Sequence, residues 1–500
     1  MKAADTYGWR VLALTLLLVA SCARPAETPA PVHGRVLYNL DSSQFFIGTF
    51  GPIEGATIDR FVDEYAALGI TDLFVNVNAQ RTNYASAAWE SGWEGEDTTS
   101  VEWIRNERIL HEQGVDYPGR MLQRAREAGI GAWISVRMND AHLPDQPDHP
   151  LHSRFWRAHP EWRLENTGLD YAEGEVRDHY LALIREVSER YDPDGIELDF
   201  LRFPLYFRPG EEAAGVPLMT ALVREARAMT DAAGQRLGRP VHLAVRVPTS
   251  PHVSLAHGHD VVAWAREGLV DLVIAAPWWS SANSDIRVED WKAALAGTDV
   301  PVAVSLEDGV DAGSMGRRTL APDEMRGILA SAWDRGADAV YFFNLFTDPL
   351  RDWPREAHDR LVQAAGHPEA LAAAPRRHVV TLVAPWAEGE PRARSVLPFT
   401  GTSAVFQLAI GPPPADGQTA RVELKLDGSR PTVRVNGVVC PWLRDAAADH
   451  LRDAGIRKQE AGGRSLFEIP AGALRRGYND VAVEADAAIR VDWVEIAIGV

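Results

Sequence analysis

The feature that most constrains this chain is a beat of apolar strand, turn and amphipathic helix, kept from residue 44 to 347. The apolar runs are QFFIGTF (44–50), TDLFVNVNAQ (71–80), GAWISVRMND (131–140), GIELDFLRFP (195–204), PVHLAVRVP (240–248), VDLVIAAPWW (270–279), PVAVSLEDG (301–309) and ADAVYFFNLF (337–346). Between them lie helical patterns such as IDRFVDEYAALG, VRDHYLALIREVSERY and MRGILASAWDRG. Several close on a glycine just past the periodic stretch, where a left-handed C-cap belongs. Eight such units in roughly 300 residues predict a (β/α)8 barrel, the TIM-barrel form of the α/β class. A doubly wound open sheet is the competing fold, but no glycine-rich phosphate loop follows the first strand. The barrel is assigned to 39–365.

The start of the chain sets the compartment. Residues 1–22, MKAADTYGWRVLALTLLLVASC, combine basic residues, a short apolar run and small residues before a cysteine. That is a secretory signal, too short for a membrane span. Its end, VASC, resembles the lipobox of bacterial lipoproteins, which implies cleavage before Cys22 and lipidation of that residue. The expected location is therefore the bacterial cell envelope, exported and held to the outer membrane or cell surface only by lipid. Residues 23–38 open on a Pro/Ala-rich stretch and read as a tether. With Cys22 lipidated, Cys440 stands alone and no intramolecular disulfide forms.

Composition narrows the partners. A net charge of −19 argues against nucleic acid as a partner. Sixteen tryptophans leave room for sugar-stacking platforms as well as core.

A barrel places chemistry at the C-terminal ends of its strands, and polar residues gather there. Strand two ends in Asn76, Asn78, Gln80 and Arg81; strand three in Arg137, Asn139 and Asp140, followed by His142. Strand four carries Glu197, Asp199 and Arg202, and strand five Arg246. Strands six, seven and eight end in Trp278 and Trp279, in Glu307 and Asp308, and in Asn344. Alternation puts Glu197 and Asp199 on one strand face and Ile196, Leu198 and Phe200 on the other, so the two acids point toward the axis. Glu307 stands nearly opposite, where a second carboxylate flanking a sugar would lie.

The stretch YDPDGIELDFLRFP (191–204) resembles the strand-four motif of the glycoside hydrolase family 10-like barrel proteins, which are often secreted. FWRAHPEW (155–162) is similar to the segment that precedes that motif in them. The resemblance covers roughly residues 40–365 and implies a TIM barrel acting on a carbohydrate polymer. Asp199 matches the acidic strand-four position of that group; Glu197 stands where its members vary, often with His. Family 18 chitinases carry an acid two residues beyond the last Asp, where this chain has Leu201.

The function expected is glycoside hydrolysis by acid/base chemistry, with Asp199, Glu307 and Glu197 as catalytic candidates and Asp308 in reserve. Asn76, Asn78, Arg137, Asn139, Arg202, Arg246, Trp278, Trp279 and Asn344 are the expected substrate contacts. Arg137, Arg202 and Arg246 are candidates either for pairing internally with Glu197 and Asp199 or for recognising an anionic group on the glycan. No cofactor is expected. A hard cation held by Asp194, Glu197, Asp199 and Glu307 is a rival reading, as is a loop metal at His257 and His259, but no zinc motif is present and no metal is assigned. The alternative function is a non-catalytic, surface glycan-binding lipoprotein using the same cleft. An Asp199 locked in an internal ion pair without access to solvent would leave the hydrolase without its central acid, and the chain would be better regarded as a glycan receptor.

From residue 366 the rhythm changes. GHPEALAAAPRR (366–377) reads as a linker, and 378–500 alternates in short strands divided by turns, an antiparallel β-sandwich. Phrases such as LRRGYNDVAVEA resemble small jelly-roll modules appended to secreted glycosidases, which leaves a spacer and an accessory carbohydrate-binding module both open.

Overall fold

The computed structural model describes residues 34–47, 51–95, 100–140, 142–165, 167–201, 203–277, 282–311, 316–346, 353–381, 397–456 and 463–500. Eight parallel strands close into a barrel: β1 (Arg35–Leu40), β2 (Asp72–Asn76), β3 (Gly131–Arg137), β4 (Gly195–Asp199), β5 (His242–Val247), β6 (Leu272–Ala275), β7 (Val302–Leu306) and, after a small hairpin of β8 (Gly309–Asp311) and β9 (Arg317–Thr319), β10 (Ala339–Phe343). β1 closes the ring between β10 and β2. Helices follow the strands and lie outside, so this is the expected (β/α)8 barrel.

The first strand departs from expectation. Residues 44–46 of QFFIGTF are helical, not extended, and β1 lies earlier, inside the stretch read as tether. Asp41 decides this locally: its side chain accepts from the Ser43 N–H and caps the helix Ser42–Phe46. Phe45 and Phe46 then bury on that helix, while Val36, Tyr38 and Leu40 of β1 face the helical layer.

Two cores follow from strand alternation. Outward residues such as Val36, Ile196, Leu198 and Val245 pack under the helices. Inward residues Leu37, Phe74, Trp133, Ala244, Leu272 and Tyr341 fill the axis. Trp133 needs space that Gly195 provides, because a Cβ at Gly195 would lie 2.1 Å from the indole. The lower barrel is therefore solid, and only its C-terminal end is polar.

Beyond the barrel, β11 (Arg376–Val379), β12 (Phe399–Ile410), β13 (Ala420–Asp427), β14 (Thr432–Val435), β15 (Val438–Cys440), β16 (Trp442–Ala446), β17 (Arg464–Glu468) and β18 (Gly477–Ile498) form an antiparallel domain. Two apolar runs that read as separate strands, DVAVEA and IRVDWVEIAI, are one: β18 pairs with β12 and β14 through its first part and with β11 and β13 through its last. The stretch read as a linker is structured too. Pro368–Ala373 is helical, and Arg376 and Arg377 already belong to β11.

The two domains meet through buried ions. Arg377 pairs with Asp323 (2.8 Å) on the barrel helix Pro322–Asp334 and with Glu423 (3.0 Å) and Glu495 in the sandwich. Against the effect of burial, Arg464 and Arg377 hold the Glu495 carboxyl well below the usual range. Gly327 lets that helix lie directly on β11, since a Cβ there would come within 1.9 Å of the Arg377 carbonyl oxygen. On the sandwich surface Trp442 is exposed, with the Arg430 guanidinium stacked on its ring at 3.6 Å.

Candidate active site

The axis turns polar above Tyr341. Glu197 projects inward from the middle of β4, where its Oε1 accepts from the Tyr341 hydroxyl (2.8 Å) across the barrel and its Oε2 from the Asn39 amide (3.4 Å). It is wholly buried. Burial, and then the neighbouring Asp199 charge, push its carboxyl up to about 8, against weaker opposing pulls from Ser135, Arg246 and Tyr341. At neutral pH Glu197 thus carries a proton.

One layer higher, Asp199 Oδ1 accepts from the Leu201 N–H (3.0 Å) and from Arg246 NH1 (3.0 Å). The other oxygen, Oδ2, has no donor among the described residues. Arg246, the β5 neighbour of Asp199, reaches on through NH2 to Glu307 Oε1 (3.4 Å), just past the end of β7. Its guanidinium lies over the Phe343 ring at 3.7 Å. A single guanidinium contacting both carboxylates keeps them inside the upper separation of about 9.5 Å seen in two-acid glycosidases.

This arrangement corrects the sequence reading in one respect. Asp199 and Glu307 do converge, but not across an open hollow. Arg246 stands between them, and Asp199, Arg246 and Glu307 are exposed by only 0%, 0% and 2%. The condition set for a receptor, an internally paired and solvent-free Asp199, is met.

The other expected site residues divide into groups. Arg137 donates to Asp41 Oδ2 (2.7 Å) and lies 3.6 Å from Asp140. Although burial opposes its charge, those acids hold the guanidinium above its ordinary value. Arg137 and Arg246 are therefore already matched by internal carboxylates, which removes them as free anion receptors. Asn78 donates to the carbonyls of Ala79 and Arg137 and accepts from the Arg137 N–H (3.0 Å). Asn139 donates to Leu169 and Leu205 carbonyls and accepts from the Leu169 N–H (2.9 Å). Both amides spend their donors and their acceptor on backbone groups of the neighbouring loops. Asn76 lies buried with its amide 3.5 Å from the Ser135 carbonyl. Asn344 ends β10 in the left-handed region, φ +53°. Asp308, buried, gives its carbonyl to the Leu320 N–H (2.7 Å). Asp194 sits at the opposite end of β4, where it accepts from the Ala132 N–H, far from any shared metal shell with Glu307. His259 is buried against Phe200 and Tyr206. Cys22, Arg202, Trp278 and Trp279 lie outside the described residues.

Three participants escaped the sequence reading. Asn39 lies on the strand that was placed too late, and Asp41 directly follows it as the cap of the next helix. Tyr341 was visible only as an inward position of an aromatic run.

No protein-family model matches the chain, and no curated protein matches it in sequence. Solved structures resemble it in fold. The α-L-fucosidase isoenzyme 2 from Paenibacillus thiaminolyticus is 14% identical, with 68% of this chain covered, 49% of that chain and a TM-score of 0.43. The chain thus spans about half the length of that enzyme. The endo-β-1,4-mannanase from Thermotoga petrophila is 10% identical over 93% of this chain and 97% of that one, TM-score 0.45. The endo-1,4-β-mannanase from Rhizomucor miehei is 14% identical over 69% and 96%, TM-score 0.42. At such identities the likeness is one of fold alone.

Proposed function

We propose that the barrel takes an oligo- or polysaccharide at its C-terminal mouth and hydrolyses a glycosidic bond there, with Asp199 as the central carboxylate. The observation that carries this reading is the Arg246 bridge. Carboxylates from β4 and the end of β7 converge on one guanidinium at the C-terminal end of a barrel, and Asp199 keeps an oxygen without a donor among the described residues. Burying such a cluster does little for stability, since desolvating the charges offsets their attraction. Its retention is better explained by chemistry.

Glu197 adds a carboxyl that carries a proton at neutral pH directly beneath a carboxylate paired with a cation. A protonated carboxyl beside an ion-paired carboxylate offers an acid and a base to one site. Sugar binding has to open the cluster far enough for Asp199 to meet the substrate, with Arg246 retaining Glu307 or Asp199 as its counter-ion. The same reading makes the protein an exported, Cys22-lipidated component of the bacterial envelope, as the VASC sequence supports.

A second reading, a glycan receptor without catalysis, is favoured by the burial and internal pairing of Asp199. Incubating the purified protein with a polysaccharide panel separates the two. Cleavage by wild type that disappears in Asp199→Asn and Glu307→Gln supports the hydrolase. Binding by wild type without cleavage supports the receptor.

A further inference from the structure

Beside the Arg137–Asp41 pair, on the β1–β3 side of the mouth, lies a cavity of about 270 Å³. It is walled by Glu107, Asn83 and Trp103. A second cavity, of about 260 Å³, lies behind that wall and shares Asn83 and Glu107 with the first. Each exceeds the hole of about 150 Å³ that accepts a benzene ring, so each has room for one pyranose.

Glu107 is the unusual group here. It sits on the apolar stripe of the helix Glu102–Glu112, three residues after Ile104 and three before Leu110. Its side chain is 94% buried, with an exposure of 6%, and makes no hydrogen bond or ion pair. Gly92 provides its place, since a Cβ there would fall 2.5 Å from Glu107 Oε2. Burial alone pushes the carboxyl well above its usual range, which favours its protonated form, a group that can donate as well as accept. Nearby, the Tyr117 hydroxyl and Asn83 Oδ1 are also buried without a protein partner. Native proteins rarely leave three such groups together. The charged side chains around the first cavity are matched among themselves: Arg137 with Asp41, Arg81 with Glu90 (2.6 Å), His142 with Asp140 (2.7 Å).

We propose that the first hollow is a subsite for an uncharged sugar residue, with Glu107 and Asn83 reading its hydroxyls and Trp103 lining its apolar side. The proposal rests on the glycan reading of the mouth and adds to it a preference for neutral over uronic or sulfated sugars, because the described cations of the hollow are already paired. A sugar here would sit next to the Arg137–Asp41 pair, which adjoins the Asp199 centre, and so would extend the bound chain to one side of it.

The test measures binding by calorimetry and hydrolysis by reducing-end release on the full chain. The probes are neutral manno- and cello-oligosaccharides and an oligogalacturonate. Glu107→Ala, and independently Gly92→Ala, which drives a methyl against the carboxyl, are expected to weaken neutral-oligosaccharide binding at least about tenfold. KM should rise with them while kcat changes less than about threefold. Glu107→Gln, an uncharged isostere, should rescue most of the affinity. Unchanged affinity in both alanine variants overturns the subsite, as does a Glu107→Gln as weak as Glu107→Ala, or tighter binding of the oligogalacturonate. If wild type neither binds nor cleaves any probe, the glycan reading itself falls. Loss of cleavage in Asp199→Asn with wild-type behaviour of the Glu107 variants removes the subsite alone.

Discussion

Arg246 donates through one nitrogen to Asp199 at 3.0 Å and through the other to Glu307 at 3.4 Å, so a single side chain of β5 ties β4 to the end of β7. The three are buried, so the loss of Arg246 takes a counter-ion from both carboxylates at once.

Arg246→Met is therefore expected to destabilise the fold by about 3–5 kcal/mol in urea unfolding, because two carboxylates lose their common cation. Arg246→Lys should recover little of this, since an ammonium lacks the planar fork that reaches both acids. A methionine variant as stable as wild type would show that the network does not hold the barrel mouth together.

Glu197 gives a pH dependence with a definite sign. Its carboxyl stands at about 8 in the fold against an ordinary 4.5, so the folded state binds more protons than the unfolded one between those values. Its contribution to stability is complete below about pH 4.5, falls across the window and is gone above about pH 8. Subtracting the unfolding free energies of Glu197→Gln from those of wild type, pH by pH, should show wild type losing on the order of a few kcal/mol relative to the variant over that range. A flat difference would mean that Glu197 is ionised throughout.

Asn139 should behave as a positioning residue. Asn139→Ala removes three hydrogen bonds to the backbone of Leu169 and Leu205 and is expected to cost roughly 2–3 kcal/mol of stability. Glycan affinity of the fraction that remains folded should stay within about threefold of wild type. A variant of normal stability with lost affinity would return Asn139 to the list of sugar contacts.

At the domain interface, Gly327→Ala places a methyl against the Arg377 carbonyl. Barrel and sandwich should then separate energetically. Scanning calorimetry is expected to show a lower first transition, shifted by at least about 5 °C, or two transitions in place of one. An unchanged thermogram would show that the helix Pro322–Asp334 can move away from β11 without loss.

What the sequence made legible follows from periodicity. Seven of the eight barrel strands were visible because both faces of a parallel strand are buried, which leaves compact apolar runs between amphipathic helices. The inward direction of Glu197 and Asp199 was readable for the same reason, since alternation is a local property. β1 was missed because RVLYNL adjoins a Pro/Ala-rich stretch, while the adjacent phenylalanines 45 and 46 imitate a strand and are in fact held in a helix by the Asp41 cap. The linker and the split of β18 failed similarly: both depend on contacts with residues distant in sequence.

The sequence by itself determined the barrel, the all-β domain after it and the concentration of acids at the C-terminal ends of the strands, all of which are written in spacing along the chain. Tertiary structure alone decided which charges meet. Arg246 stood open in the sequence as a ligand for an anionic substrate or as a partner of the strand-four acids, and it is the bridge between Asp199 and Glu307. Glu107 stands out by no local pattern and is a buried, unpaired carboxyl beside a cavity. Pairing and desolvation depend on distances across the barrel, which no local pattern of residues encodes.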